Sequence, residues 1–169
     1  MKIVPGSPGL EDAVGSFLVM EANWPEHATS FAGCVWFAAL DDNVEDADDY
    51  EVIGMIYGHT LPEAEAVEHV RSGDRTGPVF WVDLVAVTRP GIRLGTCLMQ
   101  RLVDSVAPEH GLILLSIDKE RPNRAAREKF ARECGFVVRQ AGPEPVWSAD
   151  STTVIAAVAE RLAGRSPCP

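Results

Sequence analysis

Val82-Asp83-Leu84-Val85-Ala86-Val87-Thr88-Arg89-Pro90-Gly91-Ile92-Arg93-Leu94-Gly95 starts as a nearly unbroken apolar run of strand length and ends in a turn punctuated by a proline and two glycines. Beyond the turn, Leu94, Leu98, Leu102 and Val106 recur at every fourth position with Met99 and Val103 beside them, which predicts a helix burying one stripe against a sheet. A strand, a glycine-bearing turn and a helix in that order aim backbone N–H groups and a helix N-terminus at one point. Such a point suits a pyrophosphate, because the first N–H groups of a helix have no partner within it. These residues therefore predict a binder of a phosphate-bearing cofactor.

Downstream, Gly111 marks the helix exit and Leu112-Ile113-Leu114-Leu115-Ser116-Ile117-Asp118 reads as a second buried strand. Strand, helix, strand in this order predicts a parallel crossover. Pro122-Asn123 opens another helix, with Ala126 and Phe130 on one face, and Phe136-Val137-Val138 returns to the sheet. A last strand near Val146-Trp147 precedes a helix capped by Ser151, carrying Val154, Val158 and Leu162, and stopped at Gly164. Upstream, Leu10, Val14, Phe17 and Leu18 share a helical face that ends before Asn23-Trp24-Pro25, and a short second helix is expected over residues 27–32. Cys34-Val35-Trp36-Phe37-Ala38-Ala39-Leu40 and Val52-Ile53-Gly54-Met55-Ile56-Tyr57-Gly58 read as an antiparallel pair. Pro62 opens a helix through Val70, closed by Ser72-Gly73-Asp74-Arg75-Thr76-Gly77-Pro78. With no repeat and no linker, residues 1–169 are expected to form one mixed α/β domain.

Composition narrows the function. The 169 residues are 46% hydrophobic and 24% charged, ordinary for a folded globular chain. A formal net charge of −10 and a pI near 4.8 argue against a nucleic-acid surface and favour a cationic small-molecule partner. Asp41, Asp42, Glu45, Asp46, Asp48, Asp49 and Glu51 crowd between the two upstream strands. They read either as a solvated hairpin loop or as an electrostatic funnel for an amine. No window approaches the roughly 20 apolar residues of a membrane span, and Met1-Lys2-Ile3-Val4-Pro5-Gly6 lacks a signal-peptide core, so a cytoplasmic protein is expected. Cys34, Cys97, Cys134 and Cys168 are scattered without metal-ligand spacing, which predicts free, mostly buried thiols and no metal site. The nucleotide loop G-x-x-x-x-G-K-S/T, the fingerprint G-x-G-x-x-G and the hydrolase elbow G-x-S-x-G do not occur.

Taken together, the chain resembles the GNAT-type N-acetyltransferases, most specifically over residues 79–138. In that family the turn after the fourth strand carries R/Q-x-x-G-x-G/A and wraps the pyrophosphate of acetyl-coenzyme A with backbone amides. The matching turn here is Pro90-Gly91-Ile92-Arg93-Leu94-Gly95: the final glycine is Gly95, Pro90 holds the first position and Arg93 that of the middle glycine. A second signature, N-x-x-A-x-x-x-Y followed by G-F, is met by Asn123, Ala126, Gly135 and Phe136, with Phe130 at the tyrosine position. The resemblance implies a mixed α/β fold with a central, mostly antiparallel sheet flanked by helices and an additional C-terminal helix over 151–163. It implies acetyl-CoA contacts from Val85, Val87, Arg89, Gly91, Ile92, Arg93, Leu94, Gly95, Thr96, Asn123, Ala126 and Phe130, with Arg89 or Arg93 able to pair with phosphate.

The implied reaction moves an acetyl group from acetyl-CoA to a primary amine of a small, cationic molecule. It needs a neutral amine, stabilisation of the attacked carbonyl and a route for a proton. The backbone N–H of Val85 is expected at the carbonyl oxygen, and Asp83, placed on the same face by strand alternation, as general base through water. His59 is the alternative base, because its ordinary pKa near about 6.5 suits proton transfer at neutral pH. Asp118 could bind the acceptor's ammonium, and His27, His69 and His110 receive no role. Phe130 cannot protonate the departing thiolate, but a thiol of pKa about 8.5 leaves tolerably without help. Two other functions stay open at this point: a noncatalytic acyl-CoA-binding or regulatory protein, and a homodimeric interaction module whose C-terminal helix packs on a second copy.

Overall fold

The computed structural model describes residues 1–28, 30–41, 50–70, 77–88, 93–118, 121, 123–140, 142 and 144–163. The elements are β1 (Lys2–Pro5), α1 (Glu11–Met20), β2 (Val35–Asp41), β3 (Glu51–Thr60), α2 (Glu63–His69), β4 (Val79–Val87), α3 (Leu94–Val106), β5 (Leu112–Ser116), α4 (Arg124–Glu133), β6 (Val137–Gln140), β7 (Val146–Asp150) and α5 (Ser151–Leu162). They build a mixed α/β architecture around one 7-stranded sheet of order β1-β2-β3-β4-β5-β7-β6. Among the described residues only β4 and β5 run parallel, and every other neighbouring pair is antiparallel.

The parallel pair follows from the crossover through α3. Leu94, Leu98, Met99, Leu102 and Val103 are all at most 1% exposed, so this helix is held by its apolar stripe. Each such side chain contributes about 1.5–3 kcal/mol on burial. The stripe joins Ile56, Phe80, Val82, Ile113, Leu115 and Trp147 on one face of the sheet, and Val154 and Val158 bring α5 into the same cluster. The opposite face packs Met55, Tyr57, Leu84 and Ala86 against Val14, Phe17 and Leu18 of α1.

An irregularity in β4 sets up the site. Tyr57 of β3 faces Leu84, and the next residue, Gly58, faces Val82, so Asp83 is an extra residue in the β4 edge. Phe80 and Val82 belong to the α3 face, Leu84 and Ala86 to the α1 face, and Val85 and Val87 to the α3 face again. The alternation therefore slips by one at Asp83. This corrects the expectation that Asp83 and Val85 share a face: a bulge inserts one residue and reverses the parity of all that follow.

Three smaller expectations are also corrected. Among the described residues of 27–32 there is no second helix; the chain makes a 3-10 turn at Pro25–His27, with left-handed backbone at Asn23 (φ 56) before it and at Gly33 (φ 78) after it. Asp150, not Ser151, is the N-cap of α5, and Ser151 is buried with its N–H donated to the Gly111 carbonyl at 3.1 Å. Strand β1, which the residue pattern did not predict, pairs with the outer edge of β2 from Lys2↔Leu40 to Pro5↔Phe37. The acidic segment lies partly at 42–49 and Gly164 lies past α5; both fall outside the described residues. No helix among the described residues is long and apolar enough to cross a membrane.

Candidate active site

Strands β4 and β5 pair only from Val79↔Leu112 to Val82↔Leu115. Past that point β4 continues to Val87 along β3, while β5 stops at Ser116 and stays with β7. The sheet opens in a V, and the bulge at Asp83 stands where the two strands part. A cavity of about 250 Å³ occupies the opening. Its walls are Val82 to Val85 of β4, Leu115 to Asp118 at the end of β5, Arg127, Phe130 and Ala131 of α4, and Trp24, Glu26 and His27 beside the 3-10 turn, with Glu144 at the margin. Residues from both faces of the sheet thus line one space.

Asp83 stands at the apex of the V. His59 Nδ1 lies 2.8 Å from Asp83 Oδ2, and the two side chains are 34% and 21% exposed. Burial pushes the Asp83 carboxyl above its ordinary value, which the His59 hydrogen bond and the charges of His59 and His27 only partly offset. Asp83 lines the cavity and His59 does not, so the structure brings the two candidate bases together but gives only one of them a place in the wall. Asp118 is also in the wall, with Arg121 Nε at 3.7 Å from its carboxylate.

On the α3 face, Gly95 opens toward Phe130 and Val85. A Cβ built there would stand 3.4 Å from the Phe130 ring and 3.8 Å from Val85. The missing side chain leaves backbone beside the cavity. Leu94 and Thr96 are 1% exposed, so their side chains are kept from a ligand, and the Thr96 N–H is donated to the Arg93 carbonyl at 2.8 Å. Arg93 takes a left-handed conformation (φ 63) at the N-cap of α3. Its guanidinium donates to the Arg161 carbonyl at 2.9 Å, tying α3 to the end of α5, so in this structure it is engaged there. Val87 ends β4, while Asn123 (φ 61) caps α4 and Ala126 is exposed in its first turn. Arg89, Gly91 and Ile92, also expected at the cofactor, lie outside the described residues.

Two features escaped the residue pattern. His27, given no role from sequence, lines the cavity, and its Nδ1 is in hydrogen-bond contact with the Tyr57 hydroxyl. Arg121 braces the wall from behind its lining residues: its guanidinium lies 4.3 Å from the Trp24 ring centroid, donates to the Asn23 carbonyl at 3.1 Å and pairs with Glu26. Neither signal is local, since each pair is separated by a long stretch of chain. Cys97 is disulfide-bonded, against the expectation of free thiols, whereas Cys34 and Cys134 are free. No group of three or more His, Cys, Asp or Glu that could hold a metal ion occurs among the described residues.

Neither the profiles of known families nor the sequences of curated proteins match this chain. Solved structures do. Arabidopsis thaliana NAA60 in complex with acetyl-CoA superposes with a TM-score of 0.66 at 14% identity, over 88% of this chain and 97% of that one. The PaiA N-acetyltransferase of Thermoplasma acidophilum in complex with coenzyme A gives 0.61 at 10% identity, over 89% and 99%. FeeM, an N-acyl amino acid synthase from uncultured soil microbes, gives 0.64 at 12% identity, over 92% and 98%. With the seven-stranded sheet, the parting of β4 from β5 and the bulge between them, these likenesses show that the chain has the fold of the GNAT-type acetyltransferases.

Proposed function

We propose that this protein is an N-acetyltransferase that moves an acetyl group from acetyl-CoA to a primary amine of a small, cationic molecule. One observation carries the proposal: a half-buried carboxylate, Asp83, stands on a bulge at the point where two strands part, in the wall of a cavity that reaches both faces of the sheet. Acetyl-CoA fits the α3 face, where Gly95 has no side chain and main-chain N–H groups open the helix. The amine fits the other side, where Asp83 supplies a carboxylate and Glu26, paired with Arg121, stands beside it.

In this mechanism Asp83 accepts the amine's proton, directly or through one water. Its raised pKa makes it a stronger base than a free carboxylate, and His59 holds its orientation. The Val85 N–H stabilises the charge developing on the thioester oxygen. Phe130 presents an apolar ring beside Gly95 and excludes water without giving a proton. The thiol leaves as thiolate and takes its proton from solvent or from the amine, which the pKa of about 8.5 permits. In the test, purified protein is mixed with acetyl-CoA and polyamines, aminoglycosides, amino acids and peptide amines while thiol release is followed. The wild type is expected to release thiol with at least one amine, and Asp83→Asn to lower kcat/KM by about 10²–10⁴-fold.

Phe130 supports a second reading, a noncatalytic acyl-CoA-binding protein, because the position supplies no acid. Coenzyme binding without thiol release from any amine would favour it.

A further inference from the structure

The cavity has a donor that the acyl-transfer proposal does not use. Tyr57 is 8% exposed, and among the described residues its hydroxyl has one hydrogen-bonding partner, His27 Nδ1. If the phenol only accepted, its buried O–H would go unpaired, at a cost of about 1–3 kcal/mol. With the phenol as donor to Nδ1, the proton of a neutral imidazole sits on Nε2. Burial favours both neutral forms. It pushes the Tyr57 pKa well above the ordinary phenol range, and it pulls His27 below its ordinary value despite the opposing charge of Asp83.

The ring is fixed on its other sides as well. Trp24 meets it edge-on at 5.2 Å between centroids, the Tyr57 ring stands at 5.8 Å, and Arg121 stacked on Trp24 holds that wall in place. His27 Nε2 has no protein partner among the described residues, and the ring lines the cavity. The neighbouring groups in this wall, Glu26 and Asp83, offer acceptors when ionised and would bind any ammonium alike. An oxygen on the ligand would find a donor in His27; across the cavity on α4, Arg127 gives Nη2 to the carbonyls of Asp118 and Arg121, both at 2.8 Å, while its buried Nε has no partner among the described residues.

We infer that His27 is a specificity-determining residue whose Nε2–H, oriented by Tyr57, reads a carbonyl or hydroxyl oxygen carried next to the amine of the ligand. The inference rests on the acetyl-transfer proposal only in calling that ligand an acceptor. It narrows the class from amines in general to amines with a neighbouring neutral oxygen, such as amino amides, peptide α-amines or amino alcohols.

The test is calorimetric titration of the coenzyme A-saturated protein with leucinamide and with isoamylamine, which lacks the carboxamide. The wild type is expected to prefer leucinamide. That preference should fall about three- to tenfold in His27→Phe, the effect of one hydrogen bond, and survive in His27→Gln, which keeps an N–H donor. Tyr57→Phe, which frees the ring to change tautomer, should weaken the preference and provides the same readout if His27→Phe does not fold. An unchanged preference in His27→Phe and Tyr57→Phe, or binding of neither amine by the wild type, overturns the inference. Thiol release with acetyl-CoA is followed on the same samples. A His27-dependent preference without thiol release would overturn the transferase proposal and leave this inference standing.

Discussion

At the scale of single residues, Asp83 is held at a thermodynamic cost. Its pKa is raised in the folded protein, so the native state holds this proton more tightly than the unfolded chain. Ionising it subtracts stability as pH climbs through the native pKa, and the penalty is absent below the ordinary value of 3.8. Asp83→Asn is therefore expected to melt at a higher temperature than the wild type at pH 7. The two curves should converge as pH falls toward 3.8, as measured by calorimetric melting across that range. The same substitution is expected to abolish most activity, so stability and catalysis should move in opposite directions. His27 shows the opposite linkage: its lowered pKa means stability is complete above the ordinary value of 6.5 and declines below it, and His27→Gln should flatten that acid limb. The chemistry of Asp83 was legible because a carboxylate amid Trp81, Val82, Leu84 and Val85 needs a reason to be there. The place of His27 was not, because tertiary contact alone brings it to Tyr57, thirty positions along the chain.

At the scale of elements, helix α3 was legible because a one-sided helix repeats its apolar residues visibly, whereas the bulge in β4 was hidden. In Phe80-Trp81-Val82-Asp83-Leu84-Val85-Ala86-Val87 both faces are apolar, so a slip of one residue leaves the pattern unchanged. Strand β1 was missed for a related reason: a short edge strand with two exposed positions has no alternation to read. Gly58 opposite the bulge gives the sharpest test at this scale. A Cβ there would meet the Trp81 carbonyl oxygen at 2.2 Å and the Phe80 ring at 2.5 Å, so backbone must move. Gly58→Ala is expected to destabilise the protein by about 1–3 kcal/mol in denaturant melts and to lower activity beyond what lost stability explains. Arg121→Ala is expected to behave differently. Its ion pair with Glu26 joins partly exposed side chains, so stability should change by less than about 1 kcal/mol, but the loosened Trp24–His27 wall should raise KM for the amine more than it lowers kcat.

For the whole molecule, a ligand that binds only the folded state raises the melting temperature by mass action. Acetyl-CoA at a hundredfold excess over its Kd should add about 2.7 kcal/mol, which for a chain of this size is a shift of roughly 5–10 °C. The order of elements made the fold legible from β4 onward, because a strand, a glycine turn and a buried helix impose a crossover. The acceptor side resisted, since its wall is assembled from the 3-10 turn, β4, the end of β5 and α4, parts that no single stretch of sequence contains. The most direct measurement is calorimetric titration of acetyl-CoA into the wild type and into Gly95→Glu, whose side chain would fill the space between Phe130 and Val85. Binding of one coenzyme per chain by the wild type and none by a folded Gly95→Glu is the expected result. No binding by the wild type, or equal binding by both, would contradict the placement of acetyl-CoA in the opening between β4 and β5.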